Sequence, residues 1–142
     1  MKTKLKGGFM TTDTVLAVAA ILILLTAGEI GYKSAKDTAK NSVAKAETSQ
    51  IMAAVSQYHY EMQEYPATLE ALTAKSENGQ YGPWLAELKK DPWSNNKKAT
   101  ADYQYIVDTT NERVAIFSVG ANQSAESDTT AIKGDDVGVV GK

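Results

Sequence analysis

The side chains that could do chemistry in this chain are mostly carboxylates and amides, and they fall in two places. Asp13 stands alone inside an otherwise uncharged run from Phe9 to Gly28. A second group lies near the C-terminus, where the segment Ala121 to Gly138 holds Asn122, Gln123, Ser124, Glu126, Ser127, Asp128, Thr129, Thr130, Asp135 and Asp136. An acid in a membrane-length apolar segment costs on the order of 3 kcal/mol, so Asp13 reads as retained for a role. The C-terminal oxygens suit a hard cation, which takes roughly six to eight oxygen ligands and could pin a loop otherwise unusually long for a compact domain. The alternative is a polar loop that holds no ion.

Catalysis finds little support. The chain has no cysteine, and its one histidine, His59, sits among Tyr58, Tyr60 and Glu61 and reads as a surface residue. Thiol chemistry and histidine-rich zinc sites are therefore excluded. No glycine-rich phosphate loop, HExxH pair or nucleophile elbow occurs. Asp135 and Asp136 could exchange protons, yet nothing in the pattern builds a pocket around them, and no enzyme is expected. The formal net charge is −2, with three lysines in the first eight residues, so the remainder is more acidic still. Neither a basic nucleic-acid binder nor a polybasic membrane-surface protein is indicated. Without disulfides, packing or a metal must hold the fold.

The elements that must position these groups begin with a leader, residues 1–8, carrying Lys2, Lys4 and Lys6. Such a leader stays on the cytoplasmic side while residues 9–28 enter the bilayer, long enough as a helix to cross about 30 Å of hydrocarbon. Thr26-Ala27-Gly28 could also serve as a signal-peptidase site that releases a soluble domain near Gly28. A plain uncleaved anchor is a further reading, and Lys33, Lys36, Lys40 and Lys45 beyond the segment leave orientation open by charge alone. Residues 29–62 continue as an amphipathic helix. Val43, Ile51, Val55, Tyr58 and Met62, with Ala39, Ala46 and Ala54, recur at three- and four-residue steps and predict the buried stripe. The glycines at 28 and 31 could instead split the anchor from the core helix.

Tyr65-Pro66 should end the helix, because the residue before proline is pushed out of the α region. Residues 63–142 then form a small head. Short helices are expected at Thr68 to Lys75, with Leu69 and Leu72 inward, and at Pro83 to Lys89. Turns are expected at Ser76 to Gly79 and Asp91 to Asn95. Tyr103, Tyr105 and Val107 alternate as a strand, Thr109 to Glu112 turns, Val114 to Val119 returns, and Val137 to Val140 adds a short edge strand. The fold class is α+β, one long N-terminal helix packed on a small antiparallel sheet.

The junction Lys6-Gly7-Gly8-Phe9 with Asp13 behind it resembles the processing site of type IV pilin-like proteins. The family usually reads Phe-Thr-Leu-Ile-Glu where this chain has Phe9-Met10-Thr11-Thr12-Asp13, and Ile30 stands near a common proline. Further on, Tyr65-Pro66, Asp91-Pro92-Trp93-Ser94-Asn95 and Phe117-Ser118-Val119-Gly120-Ala121 are similar, in this order, to the major pseudopilins of type II secretion systems, with Ser94 in place of a glycine.

This resemblance implies cleavage between Gly8 and Phe9 by a prepilin peptidase, N-methylation of Phe9, and insertion in the bacterial inner membrane before assembly. It also implies a homopolymer built through the N-terminal helix with an assembly platform and minor pilins, ending as a periplasmic or extracellular filament. Asp13 would pair with the freed amine of Phe9, so that both charges are neutralised in an apolar surround. The shaft of a long type IV pilus is the alternative within the family. A secreted, monomeric calcium-binding module is the alternative from another class. Carried over by position, calcium ligands would be the Val119 carbonyl, the Asn122 side chain, Asp135 and Asp136, with Asn122 standing where an aspartate is usual.

Overall fold

The computed structural model describes residues 28–94 and 102–142. The leader, the processing junction and the apolar run up to residue 27 lie outside the described residues. The chain divides into two compact units, Met1–Ala39 and Lys40–Lys142. Helix α1, Gly28–Met62, supplies the described part of the first unit and the opening of the second. Gly31 does not interrupt it. Among the described residues no helix is long and apolar enough to cross a membrane.

Within the second unit α1 buries Ala44, Thr48, Ile51, Ala54 and Val55. This face differs from the expected stripe. Ile51, Ala54 and Val55 are buried as the spacing predicts, and Tyr58 packs at the edge of the core. Val43, however, is 45% exposed, and Ala39 and Ala46 also face solvent. Thr48 takes a core position that a hydropathy pattern assigns to the surface. Its hydroxyl donates to the Ala44 carbonyl at 2.8 Å, so the polar atom is satisfied within the helix and the side chain fills space as an apolar one would.

Helix α1 ends ahead of the Tyr65-Pro66 signal. Gln63 adopts a left-handed conformation, φ 61°, and its N–H donates to the His59 carbonyl at 2.9 Å, closing the last turn. A short 3₁₀ helix follows at Leu69–Thr73 and buries Leu69 and Leu72 as expected. The turn at Ser76 to Gly79 also forms, with the Gly79 N–H on the Ser76 carbonyl at 2.7 Å. The second short helix does not. The N–H groups of Trp84 and Leu85 both donate to the Leu72 carbonyl, at 2.9 and 3.0 Å, so the start of Pro83 to Lys89 is held as an irregular strap over the 3₁₀ helix.

The sheet is antiparallel and ordered β1-β2-β3, with β1 at Gln104–Asp108, β2 at Arg113–Ser118 and β3 at Val137–Gly141. Register places Tyr105 opposite Ile116 and Ile116 opposite Val139. Asp108 Oδ1 accepts from the N–H groups of Thr110 and Asn111, both at 3.1 Å, and shapes the β1–β2 turn. Val114 and Ile116 join the α1 face, Leu69 and Leu72 in one core. Ala115 and Phe117 are fully buried too, so β2 is covered on both faces rather than alternating. Opposite Phe117 the chain must carry Gly138, because a Cβ there would strike the backbone of Ile116 and Phe117. The observed architecture is the expected α+β one.

Candidate functional site

Sheet register builds the site. Pairing of Ser118 with Val137 leaves Val119-Gly120 and Asp135-Asp136 side by side at the ends of β2 and β3, as the two roots of the loop between them. The approach is close: Gly120 has φ 65°, and a side chain there would collide with the Asp135 carbonyl. Glycine is required on both counts. From this base Asp135 Oδ2 accepts the Asn122 N–H at 2.8 Å. Asp136 Oδ2 accepts the N–H groups of Glu126 and Ser127 at 2.8 and 2.7 Å.

Two of the four candidate cation ligands are thereby linked directly, and the other two flank them. Val119 is fully buried at the loop root, and Asp136 is 7% exposed. The Asn122 amide donates to Glu126 Oε1 at 2.7 Å, while its oxygen accepts the Ser124 N–H at 2.7 Å. Glu126, one of the loop's oxygen donors, stands outside the four candidate ligands, and the fold of the loop brings it onto Asn122. Asp128 has other duties. It pairs with Lys133 and accepts from Thr130, and the Lys133 ammonium first, then Thr130, holds its carboxyl well below the usual range.

The second oxygens of both roots, Asp135 Oδ1 and Asp136 Oδ1, are buried with no hydrogen-bond partner. Orphaned carboxylate oxygens of this kind need a donor, a proton or a cation. Among the described residues, however, no three His, Cys, Asp or Glu side chains converge as metal ligands. A cation here would have to draw on carbonyl and amide oxygens as well, as a hard cation does.

A buried acid outside the predicted set supports the same loop. Asp91 is 2% exposed, and its Oδ1 accepts the Ser118 hydroxyl at 2.7 Å and the Trp93 N–H at 2.9 Å. Burial pushes its carboxyl above the ordinary value, against the lowering effect of these bonds. Gln123 then ties the Trp93 turn to the loop, its amide donating to the Trp93 and Gly120 carbonyls at 2.7 and 2.8 Å. Trp93 is not buried in the core. It is half-buried, bonded through its indole N–H to Asn41 at 2.9 Å and covered by the Lys40 ammonium 4.5 Å from the ring. His59 is likewise half-buried and stacks on Tyr65, with ring centroids 4.1 Å apart and planes within 5°. Gly8, Phe9 and Asp13 lie outside the described residues.

A long helix laid on a three-stranded antiparallel sheet, in an α+β domain, is the arrangement of pilin-like subunits. The chain belongs to the family described as type II secretion system protein G, which matches residues 32–135 and so takes in most of α1, the sheet hairpin and the C-terminal loop. It is similar to the type II secretion system core protein G of Pseudomonas aeruginosa, 31% identical over 131 residues that cover 86% of this chain and 88% of that protein. It is also similar to the core protein G of Vibrio cholerae serotype O1, 26% identical over 145 residues covering 96% and 93%. No solved structure matches the chain at a significant level.

Proposed function

We propose that this protein is the major pseudopilin of a type II secretion system, a structural subunit clipped after Gly8 and polymerised through its N-terminal helix. The observation that carries the reading is the family match over residues 32–135. The leader junction at Gly8-Phe9 and the acid at Asp13 support it from the part of the chain ahead of that match. In this reading residues 9–28 hold the precursor in the inner membrane, and the peptidase frees the amine of Phe9. N-methylation of Phe9 follows. Asp13 then neutralises that amine against a neighbouring helix and sets the axial register of the polymer.

The function is mechanical. A subunit of this kind extends a fibre on an assembly platform with minor pilins, and needs a rigid head rather than a catalytic pocket. Calcium is proposed as the brace for the head's long loop, held by the Val119 carbonyl, Asn122, Asp135 and Asp136. The two unpartnered buried carboxylate oxygens support it, because a divalent cation would supply the positive charge that they lack. The test of processing is the intact mass of the protein recovered from the cell envelope. A chain starting at Phe9 and about 14 Da heavier than its sequence, the mass of one added methylene in N-methylation, is expected. A chain starting near Glu29 would overturn the filament reading in favour of ordinary secretion.

A further inference from the structure

The loop rooted on β2 and β3 contains a closed ring of contacts. Asp135 holds the backbone N–H of Asn122 and Asp136 holds that of Glu126, each through Oδ2 at 2.8 Å. The two held residues then join through their side chains, Asn122 Nδ2 donating to Glu126 Oε1 at 2.7 Å. Gly134, with φ 60°, leaves the space that the Glu126 carboxylate occupies, since a side chain there would collide with Oε2. Within this ring the Asn122 amide has one orientation. Its nitrogen faces a carboxylate and its oxygen accepts the Ser124 N–H at 2.7 Å; turned over, oxygen would meet oxygen and the amide hydrogens would meet an N–H.

That orientation matters for an ion. An amide offers a cation one oxygen and no charge, and its nitrogen repels a cation wherever it faces one. Glu126 takes the nitrogen and leaves the oxygen, with a lone pair that Ser124 does not use, available as a ligand. It also returns to that side of the loop the negative charge that a carboxylate at position 122 would carry, and charge count tunes the affinity of such sites. The site it serves has its own mark: Asp136 is 7% exposed, and its Oδ1, like that of Asp135, is buried without a partner. We propose that Glu126 is the positioning residue of this cation site, holding and charging Asn122 from behind. It does not act as a third acid on the ion, in keeping with the absence of three converging acids among the described residues. The inference rests on the calcium reading above and goes beyond the four ligands named there.

Calcium chloride is titrated into the full chain in detergent, freed of metal by chelator, with the dissociation constant read by calorimetry and the Tm taken with and without the ion. Glu126 is exposed, so its variants should fold. Glu126→Ala should weaken calcium binding about tenfold or more, as loss of a residue that orients a ligand does. Glu126→Gln keeps an accepting oxygen without the charge and should fall between that variant and the parent. Asn122→Asp in the Glu126→Ala chain should restore the affinity, and should gain less in the parent, where the new carboxylate would face Glu126. A merely structural Glu126 would lower the Tm equally in calcium and in chelator, with no change in affinity and no rescue by Asn122→Asp; that result would overturn the positioning role and leave the calcium reading intact. No calcium binding by the unsubstituted chain would remove that reading and this one together.

Discussion

Replacing Asp91 separates the shape of a buried carboxyl from its charge. The residue is 2% exposed and has Ser118 and Trp93 as donors on one oxygen, with nothing on the other. Burial raises its folded-state pKa above the ordinary value of 3.8. A carboxyl shifted in this direction holds its proton longer in the folded chain than in the unfolded one. Its favourable contribution is therefore complete below about 3.8 and is lost as pH rises through the folded value. Asp91→Asn keeps the accepting oxygen and removes the charge, so at neutral pH it should match or exceed the parent in stability and lack this component of the pH slope. Asp91→Ala removes the acceptor from a fully buried Ser118 hydroxyl and from the Trp93 N–H, at a cost of about 1–3 kcal/mol. For a domain near 100 residues that is a fall in Tm of roughly 5–15 °C. Thermal melts of all three chains at intervals from pH 3 to pH 8 give the comparison. If Asp91→Asn at neutral pH loses as much as Asp91→Ala, the charge itself is required, and the argument that burial opposes it fails.

Three further outcomes follow from the same geometry and from the proposed function. Excess chelator should lower the Tm measured in calcium and added calcium should restore it; an unchanged Tm would exclude a structural ion in the loop. Leu72→Ala deletes a fully buried side chain, whose backbone carbonyl also anchors Trp84 and Leu85, and should cost about 2–5 kcal/mol in denaturant unfolding. A cost under 1 kcal/mol would mean the 3₁₀ helix is not held against the core. Asp13→Asn should leave the N-terminus at Phe9 by mass spectrometry while sheared filament falls at least tenfold; full filament yield would refute a pairing role for that acid.

Local rules written into the sequence were enough for the class of fold. Period-two alternation at Tyr103, Tyr105 and Val107, a return strand from Val114, and the apolar Val137 to Val140 each specify an element from neighbours alone, and each forms. Leu69 and Leu72 were legible for the same reason. Non-local partners decided the rest. Which face of α1 is buried depends on where the head lands, so Thr48 goes inside on a bond within its own helix, and Val43 stays out. The Pro83 to Lys89 segment has a helix-like pattern, but its first donors are claimed by the carbonyl of Leu72, a dozen residues earlier.

The loop shows the same division. Its oxygen-rich composition could be read from the residues, and its four candidate ligands came only with the family resemblance. That Asp135 reaches the Asn122 N–H, that Asp136 caps Glu126 and Ser127, and that Asp91 underpins the loop root through Ser118 follow from pairing β2 with β3. Composition says which atoms can bind. Strand register says which of them meet, because a side chain's partners across a sheet are set by pairing and not by distance along the chain.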